Sequence, residues 1–252
     1  MIALLVAGLL ASAQPACTPP EGTEALLATE ARYVIIGEQH GTVEVPAAFA
    51  QLVCAAGMRG PVTVALEFPD VLQPAFDAIL AAPDDQSALA ILRETPLWTP
   101  DPDRHDGRSS VAMVELLQAI RRLKAAGHDV SLRAFMSSRP RLAGFDQNYH
   151  ELSMAAGLAD VARERPEARV LVLVGSFHAA KARYSANDFL PAAAHLPPDE
   201  VISILQLQQG GQSWSCKVEG CGLTDISLVD QSAGRGLILR SVDNGLFDGA
   251  LG

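Results

Sequence analysis

The sequence predicts an α/β protein: a three-layer α/β/α arrangement with a mainly parallel central sheet and a C-terminal hairpin or edge-strand extension. Three observations predict it. Strand-like runs such as "YVII" and "VLVLV" are continuous in apolar, β-branched residues rather than alternating, which is how strands buried on both faces read. Helix-like amphipathic stretches separate these runs. After Leu207 the character changes to short polar and glycine-rich pieces, which suit a hairpin and an edge strand.

Taken in order, "RYVIIG" (Arg32–Gly37) reads as the first buried strand. A helix follows from Pro46 through Ala56, with proline near its first turn, where a missing N–H is harmless. "VTVALE" (Val62–Glu67) is the second strand. The stretch 81–108, rich in proline and aspartate and carrying Trp98, predicts a long loop or small helical insertion over the site. A helix over Ser109–Ala126 is closed by Gly127 as a C-cap, and "DVSLRAF" (Asp129–Phe135) is the third strand. A helix over Asn148–Arg165 leads to the fourth strand, Arg169–Val174, and "VISILQL" (Val201–Leu207) is the fifth. Residues 14–252 thus read as one α/β domain, with 208–252 as its β extension.

The first 13 residues read as a signal peptide. "IALLVAGLLASA" is too short to span a bilayer and ends in the small-x-small pattern "ASA" (Ala11–Ala13), although a basic n-region is missing. The expected product is exported, periplasmic or secreted, and starts near Gln14. "QPAC" is a poor lipid-attachment signal, so no lipid anchor is expected at Cys17, and no later segment reads as transmembrane. The net charge of −10 and a pI near 5.0 exclude a nucleic-acid-binding surface, which needs lysine and arginine to neutralise phosphates. Four cysteines in an exported chain favour disulfides over metal thiolates. Cys216 and Cys221 bracket the turn-forming "KVEG"; Cys17 and Cys54 would then staple the N-terminal tail to the first helix. That is the simplest of three possible pairings.

Two short stretches share one pattern. "GEQHGT" (Gly37–Thr42) and "GSFHAA" (Gly175–Ala180) each hold Gly-x-x-His directly after a buried strand. Ligands of open parallel sheets sit beyond the carboxyl ends of the strands, so the ionisable residues there are the candidates: Glu38, His40, Glu67 and His178. A glutamate ending a buried strand is costly unless it is paired, solvated or bound to a metal. In "RHDGRSS" (Arg104–Ser110), Ser109 or Ser110 would cap the following helix. Arg108 at that N-terminus opposes the helix dipole, which suggests retention for an anion, either a substrate carboxylate or a buried glutamate. Asp106 joins it as a substrate-binding candidate; His105 belongs to the site or merely to the loop. His128, His150 and His195 read as structural. A Gly-x-Ser-x-Gly elbow, a His-Glu-x-x-His helix, a phosphate loop and a Cys-x-x-Cys pair are all missing from the sequence.

"GEQHGT", "ALEFP", "DGRSS" followed by Met113, and "LVGSFHA" occur in the same order in the superfamily that joins erythromycin-esterase-like proteins, ChaN-like haem-binding lipoproteins and Tiki/TraB proteins. The chain resembles that superfamily from about Arg32 to Ala180, and its Trp214–Cys216–Cys221 segment resembles exported bacterial members. The resemblance implies an α/β/α fold with the site at the strand ends. Tiki-like members are metal-dependent proteases with paired Gly-x-x-His motifs, which match His40 and His178 here, with Glu38 or Glu67 as the glutamate. Erythromycin-esterase-like members use histidine and glutamate to activate water against a lactone. The chain departs from the pattern at Ser176, where relatives often carry asparagine, and at Met136, where an aspartate is expected nearby.

The function expected from residues and resemblance together is hydrolysis of an ester, lactone or amide in a small-molecule or peptide substrate. His40 or Glu38 would act as base, His178 as second acid–base group, and Glu67 as orienting residue. A divalent ion on His40, Glu67 and His178 would give a three-ligand open site. The alternative is a ChaN-like haem- or metal-binding envelope protein without catalysis, with Tyr33, Tyr149, Tyr184 or a histidine on the iron.

Overall fold

The computed structural model describes residues 17–98, 107–138, 144–217, 220–227 and 235–252. The expected signal peptide, His105 and Asp106 lie outside the described residues. In chain order the regular elements are α1 (Thr23–Leu27), β1 (Tyr33–Glu38), α2 (Glu44–Gly57), β2 (Val62–Pro69), α3 (Gln73–Ala81) and α4 (Asp85–Arg93). Then come α5 (Val111–Ala125), β3 (Val130–Met136), α6 (Gln147–Glu164), β4 (Arg169–Gly175) and α7 (Ser176–Ala179). The chain closes with β5 (Val201–Gln206), β6 (Gln212–Lys217), β7 (Gly220–Asp225), β8 (Leu237–Val242) and β9 (Phe247–Leu251). The first five strands fall within two residues of their predicted limits.

Seven strands form one sheet in the order β3-β2-β4-β1-β5-β9-β8, parallel except for β8, which runs antiparallel to β9. The hairpin β6–β7 forms a separate two-stranded sheet. The strands alternate their side chains between two cores. Val34, Ile36, Val64 and Leu66 pack with α2, α3 and α5 on one face. Tyr33, Ile35, Val170 and Val172 pack with Met154, Leu158 and Val161 of α6 on the other. Both faces are therefore dry, as continuous apolar strands demand, and each fully buried Leu, Ile or Phe contributes about 1.5–3 kcal/mol. This is the three-layer α/β/α arrangement that the sequence predicts.

Local signals set the helix ends. Ser110 caps α5 by accepting the N–H of Met113, and Gly127, at φ 91°, ends it. Asp84 and Asp146 cap α4 and α6 in the same way. Within 81–108 the described residues form α4 and the 3-10 turns Pro96–Trp98 and Gly107–Ser109. The buried Arg121 of α5 holds α4 through Asp85 and the carbonyl of Ala82. The Trp98 ring lies 5.4 Å from Phe68, the residue after Glu67. At the sheet edge, the Gln73 side chain bridges β3: it donates to the Leu132 carbonyl at 3.0 Å and accepts the Ala134 N–H at 2.9 Å.

Cys17 and Cys54 are disulfide-bonded, which ties the tail to α2 as the simplest pairing had it. In the hairpin, Cys216 stands directly opposite Cys221 in register; the Cys216 side chain lies outside what is described. No helix among the described residues is long and apolar enough to cross a membrane.

Candidate functional site

Strand order answers why two distant Gly-x-x-His motifs matter. β4 lies between β2 and β1, and all three run parallel, so Glu67, the Gly175–His178 turn and the Glu38–His40 turn leave the sheet side by side. Glu38 is paired in register with Gly175 itself. Gly175 is where close approach requires glycine: a Cβ there would stand 3.2 Å from His40 Nε2, 3.5 Å from Glu67 Oε2 and 3.5 Å from His178 Cδ2. Gly107 is similarly constrained, since a Cβ on it would meet the Gly41 backbone nitrogen at 2.3 Å. That contact brings the Arg108 turn onto the His40 loop. The β6–β7 hairpin holds the same loop from outside, where the Trp214 N–H donates to the Gly41 carbonyl at 2.8 Å.

His40 stands between two buried carboxylates. Its Nδ1 donates to Glu38 Oε1 at 3.1 Å, and its Nε2 faces Glu67 Oε2 at 3.3 Å. Burial alone would lower the His40 pKa, but the hydrogen bonds and charges of Glu38 and Glu67 outweigh it and push it up to about 10. Burial would likewise raise Glu67, yet His40 and Arg108 hold its pKa down to about 2. Glu67 also accepts the Gly175 N–H at 2.7 Å and Arg108 Nη1 at 3.0 Å. Glu38 differs from its neighbour: burial raises its pKa against the pull of His40, and its Oε2 is buried with no hydrogen-bond partner among the described residues. At neutral pH the core of the cluster is thus an imidazolium and a guanidinium around an ionised Glu67.

Arg108 reaches the buried-glutamate alternative of the sequence reading. Its Nη1 also donates to the Glu67 carbonyl at 3.1 Å and lies 3.3 Å from Met136 Sδ, the position where the resemblance implies an acidic neighbour. Asp106 is outside the described residues.

His178 is held by a residue that the sequence reading missed. Glu151 of α6, fully buried, meets His178 Nδ1 at 2.8 and 2.9 Å through its two oxygens. It also accepts the Ala192 N–H at 2.8 Å and Gln147 Nε2 at 2.5 Å. A carboxylate facing Nδ1 keeps the proton on that nitrogen and leaves Nε2 the acceptor in the neutral ring. One signal was available: Glu151 occupies the same stripe as Met154, Ala155, Leu158 and Val161, so it is a carboxylate on the buried face of an amphipathic helix. His150, read as structural, lies edge-on to His178 with ring centroids 5.5 Å apart.

The expected metal set is not supported by the geometry. Among the described residues no three metal-capable side chains are grouped to hold an ion. The physical reason is that the donors face one another: both His40 nitrogens face carboxylates, Glu67 is engaged by Arg108 and Gly175, and His178 Nδ1 by Glu151. The tyrosines proposed for iron are dispersed. Tyr33 is buried in the core at the opposite end of β1 from His40, so it cannot be such a ligand; Tyr149 is half exposed on α6, and Tyr184 is stacked on Phe177.

The fold, with its strand-end site, defines the class: a three-layer α/β/α protein whose ionisable residues gather at the carboxyl ends of parallel strands. No family profile matches the sequence, and no curated protein matches it. Solved structures do. Erythromycin esterase EreC is similar over 90% of this chain and 91% of its own, at 12% identity and a TM-score of 0.64. A protein from Bacillus cereus is similar over 90% of this chain and 76% of its own, at 13% identity and a TM-score of 0.61. The type III effector HopBA1 is similar over 95% and 97%, at 13% identity and a TM-score of 0.55. At such identities the likeness is one of fold.

Proposed function

We propose that this chain is an exported hydrolase that activates water for attack on an ester, lactone or amide carbonyl. The observation that carries the reading is the Glu151–His178 pair beside the His40–Glu67 cluster. A histidine whose Nδ1 is fixed by a buried carboxylate presents Nε2 as a general base, the logic of carboxylate-oriented histidines in hydrolases. His40, protonated through neutral pH, is unsuited to accept a proton, so the base role expected of it passes to His178, while Glu38 holds the His40 ring.

In the proposed reaction, His178 Nε2 removes a proton from water as its oxygen attacks the carbonyl carbon. The carbonyl π electrons move to oxygen. The imidazolium of His40, held in place by Glu38 and Glu67, supplies a preorganised positive charge beside the developing oxyanion. On collapse, the carbon–oxygen or carbon–nitrogen bond breaks and His178 returns the proton to the leaving alcohol or amine. Arg108 acts by positioning Glu67. The Cys17–Cys54 disulfide supports an oxidising compartment.

The test is hydrolysis of simple aryl esters and lactones by wild type, His178→Asn and Glu151→Gln. Loss of about 100- to 10,000-fold in kcat/KM is expected for His178→Asn, the range of general base catalysis. Glu151→Gln should fall in the same direction with a changed pH profile. Equal turnover by wild type and His178→Asn would end the proposal.

A further inference from the structure

The chain has eight phenylalanines, of which five (Phe49, Phe68, Phe76, Phe135 and Phe247) are buried in the two cores. The other three, Phe145, Phe177 and Phe189, are not buried, and all three belong to one series of rings around His178. Phe177 meets His178 edge-on at 5.8 Å and Phe189 at 5.2 Å, and it stacks on Tyr184 at 5.3 Å with an angle of 5°. From the other side His150 meets His178 at 5.5 Å, and Phe145, 72% exposed, meets His150 at 5.7 Å. In a chain only 5% aromatic, rings kept out of the core and gathered around one histidine call for an occupant.

The charges nearby narrow its nature. Among the described residues both cations of the cluster already face a carboxylate: Arg108 faces Glu67, and His40 faces Glu38 and Glu67. A substrate group carrying a full negative charge would compete with these carboxylates. An uncharged one would not.

We propose that the rings flanking His178, with Phe145 and Phe177 foremost, form a subsite for an uncharged aromatic group carried next to the reacting carbonyl. This rests on the reading of His178 as the base and names the substrate class for that site. Ring faces and edges bind aromatic partners by offset or edge-on contact, about a 2- to 10-fold gain in affinity per pair beyond area burial.

The test separates binding from turnover. Phenylacetone, an uncharged ketone with a ring one carbon from the carbonyl and no hydrolysable bond, is titrated calorimetrically into wild type, Phe145→Ala, Phe145→Tyr and Phe189→Ala. Phe145 is on the surface, so its removal should leave the fold intact. The expected result is measurable binding, weakened about 3- to 10-fold in Phe145→Ala and Phe189→Ala and retained in Phe145→Tyr. Phenylacetate, its anionic counterpart, should bind more weakly than the ketone. Undetectable ketone binding, or equal affinity in wild type and both alanine variants, overturns the subsite even if esters are hydrolysed. Ring-dependent binding with no turnover of any ester supports the subsite and removes the hydrolase reading instead.

Discussion

Replacing Glu67 with glutamine probes the charge cluster at its centre. Glutamine keeps an acceptor for the Gly175 N–H but leaves His40 and Arg108 facing one carboxylate fewer in a buried site. The magnitude follows from titration: holding Glu67 at about 2 instead of 4.5 corresponds to about 3 kcal/mol of stability at neutral pH. The rise of His40 to about 10 contains the same ion pair together with Glu38, so the two figures are not summed. Because the folded pKa of Glu67 is depressed, its contribution is complete above pH 4.5 and disappears as pH falls through 2, with about 2 kcal/mol already gone at pH 3. The His40 contribution has the opposite sign: complete below 6.5, lost as pH rises through 10. Urea unfolding of wild type and Glu67→Gln at pH 7, 5 and 3 reads the gap directly. It should be about 3 kcal/mol at pH 7, still close to that at pH 5, and only about 1 kcal/mol at pH 3. A gap that is negligible at pH 7, or unchanged at pH 3, would refute an ionised Glu67 as the centre of the cluster.

Gly175→Ala should put a methyl group against His40 Nε2 and His178, and ester hydrolysis should fall about 10- to 100-fold with a thermal midpoint close to wild type; unchanged turnover would show that the two histidines need no such proximity. Cys17→Ser removes a link spanning 37 residues, and loop-closure entropy sets the loss at about 4 kcal/mol, measured by urea unfolding with and without reductant. A reductant effect that persists in full in Cys17→Ser would assign the stabilisation elsewhere.

Much of the fold and half of the site were legible because they rest on the period of side chains along single strands. The runs ending at Gly37, Glu67 and Gly175 are apolar on both faces, so their ends could be found and the ionisable residues just past them singled out. Adjacency was not legible: nothing local in "RVLVLVG" says that β4 inserts between β2 and β1. Glu151 was missed because a helix tolerates polar residues at most positions, and its burial depends on the 3-10 turn Ala192–His195, which packs over it from far along the chain. The metal expectation went unsupported for a related reason. Residue types can suggest a donor set, but only geometry reveals that the donors already satisfy one another.

The amide of Gln73 offers β3 one donor and one acceptor, the same pair that a neighbouring strand would present. A parallel sheet of this kind is otherwise an open template on that side, ready to recruit an extended segment from a second molecule. With the Leu132 and Ala134 groups already answered, such a segment finds no continuous ladder to extend. A single side chain thus gives the sheet a definite last strand, and protects the molecule from growing by edge addition while leaving the carboxyl ends of the strands unobstructed.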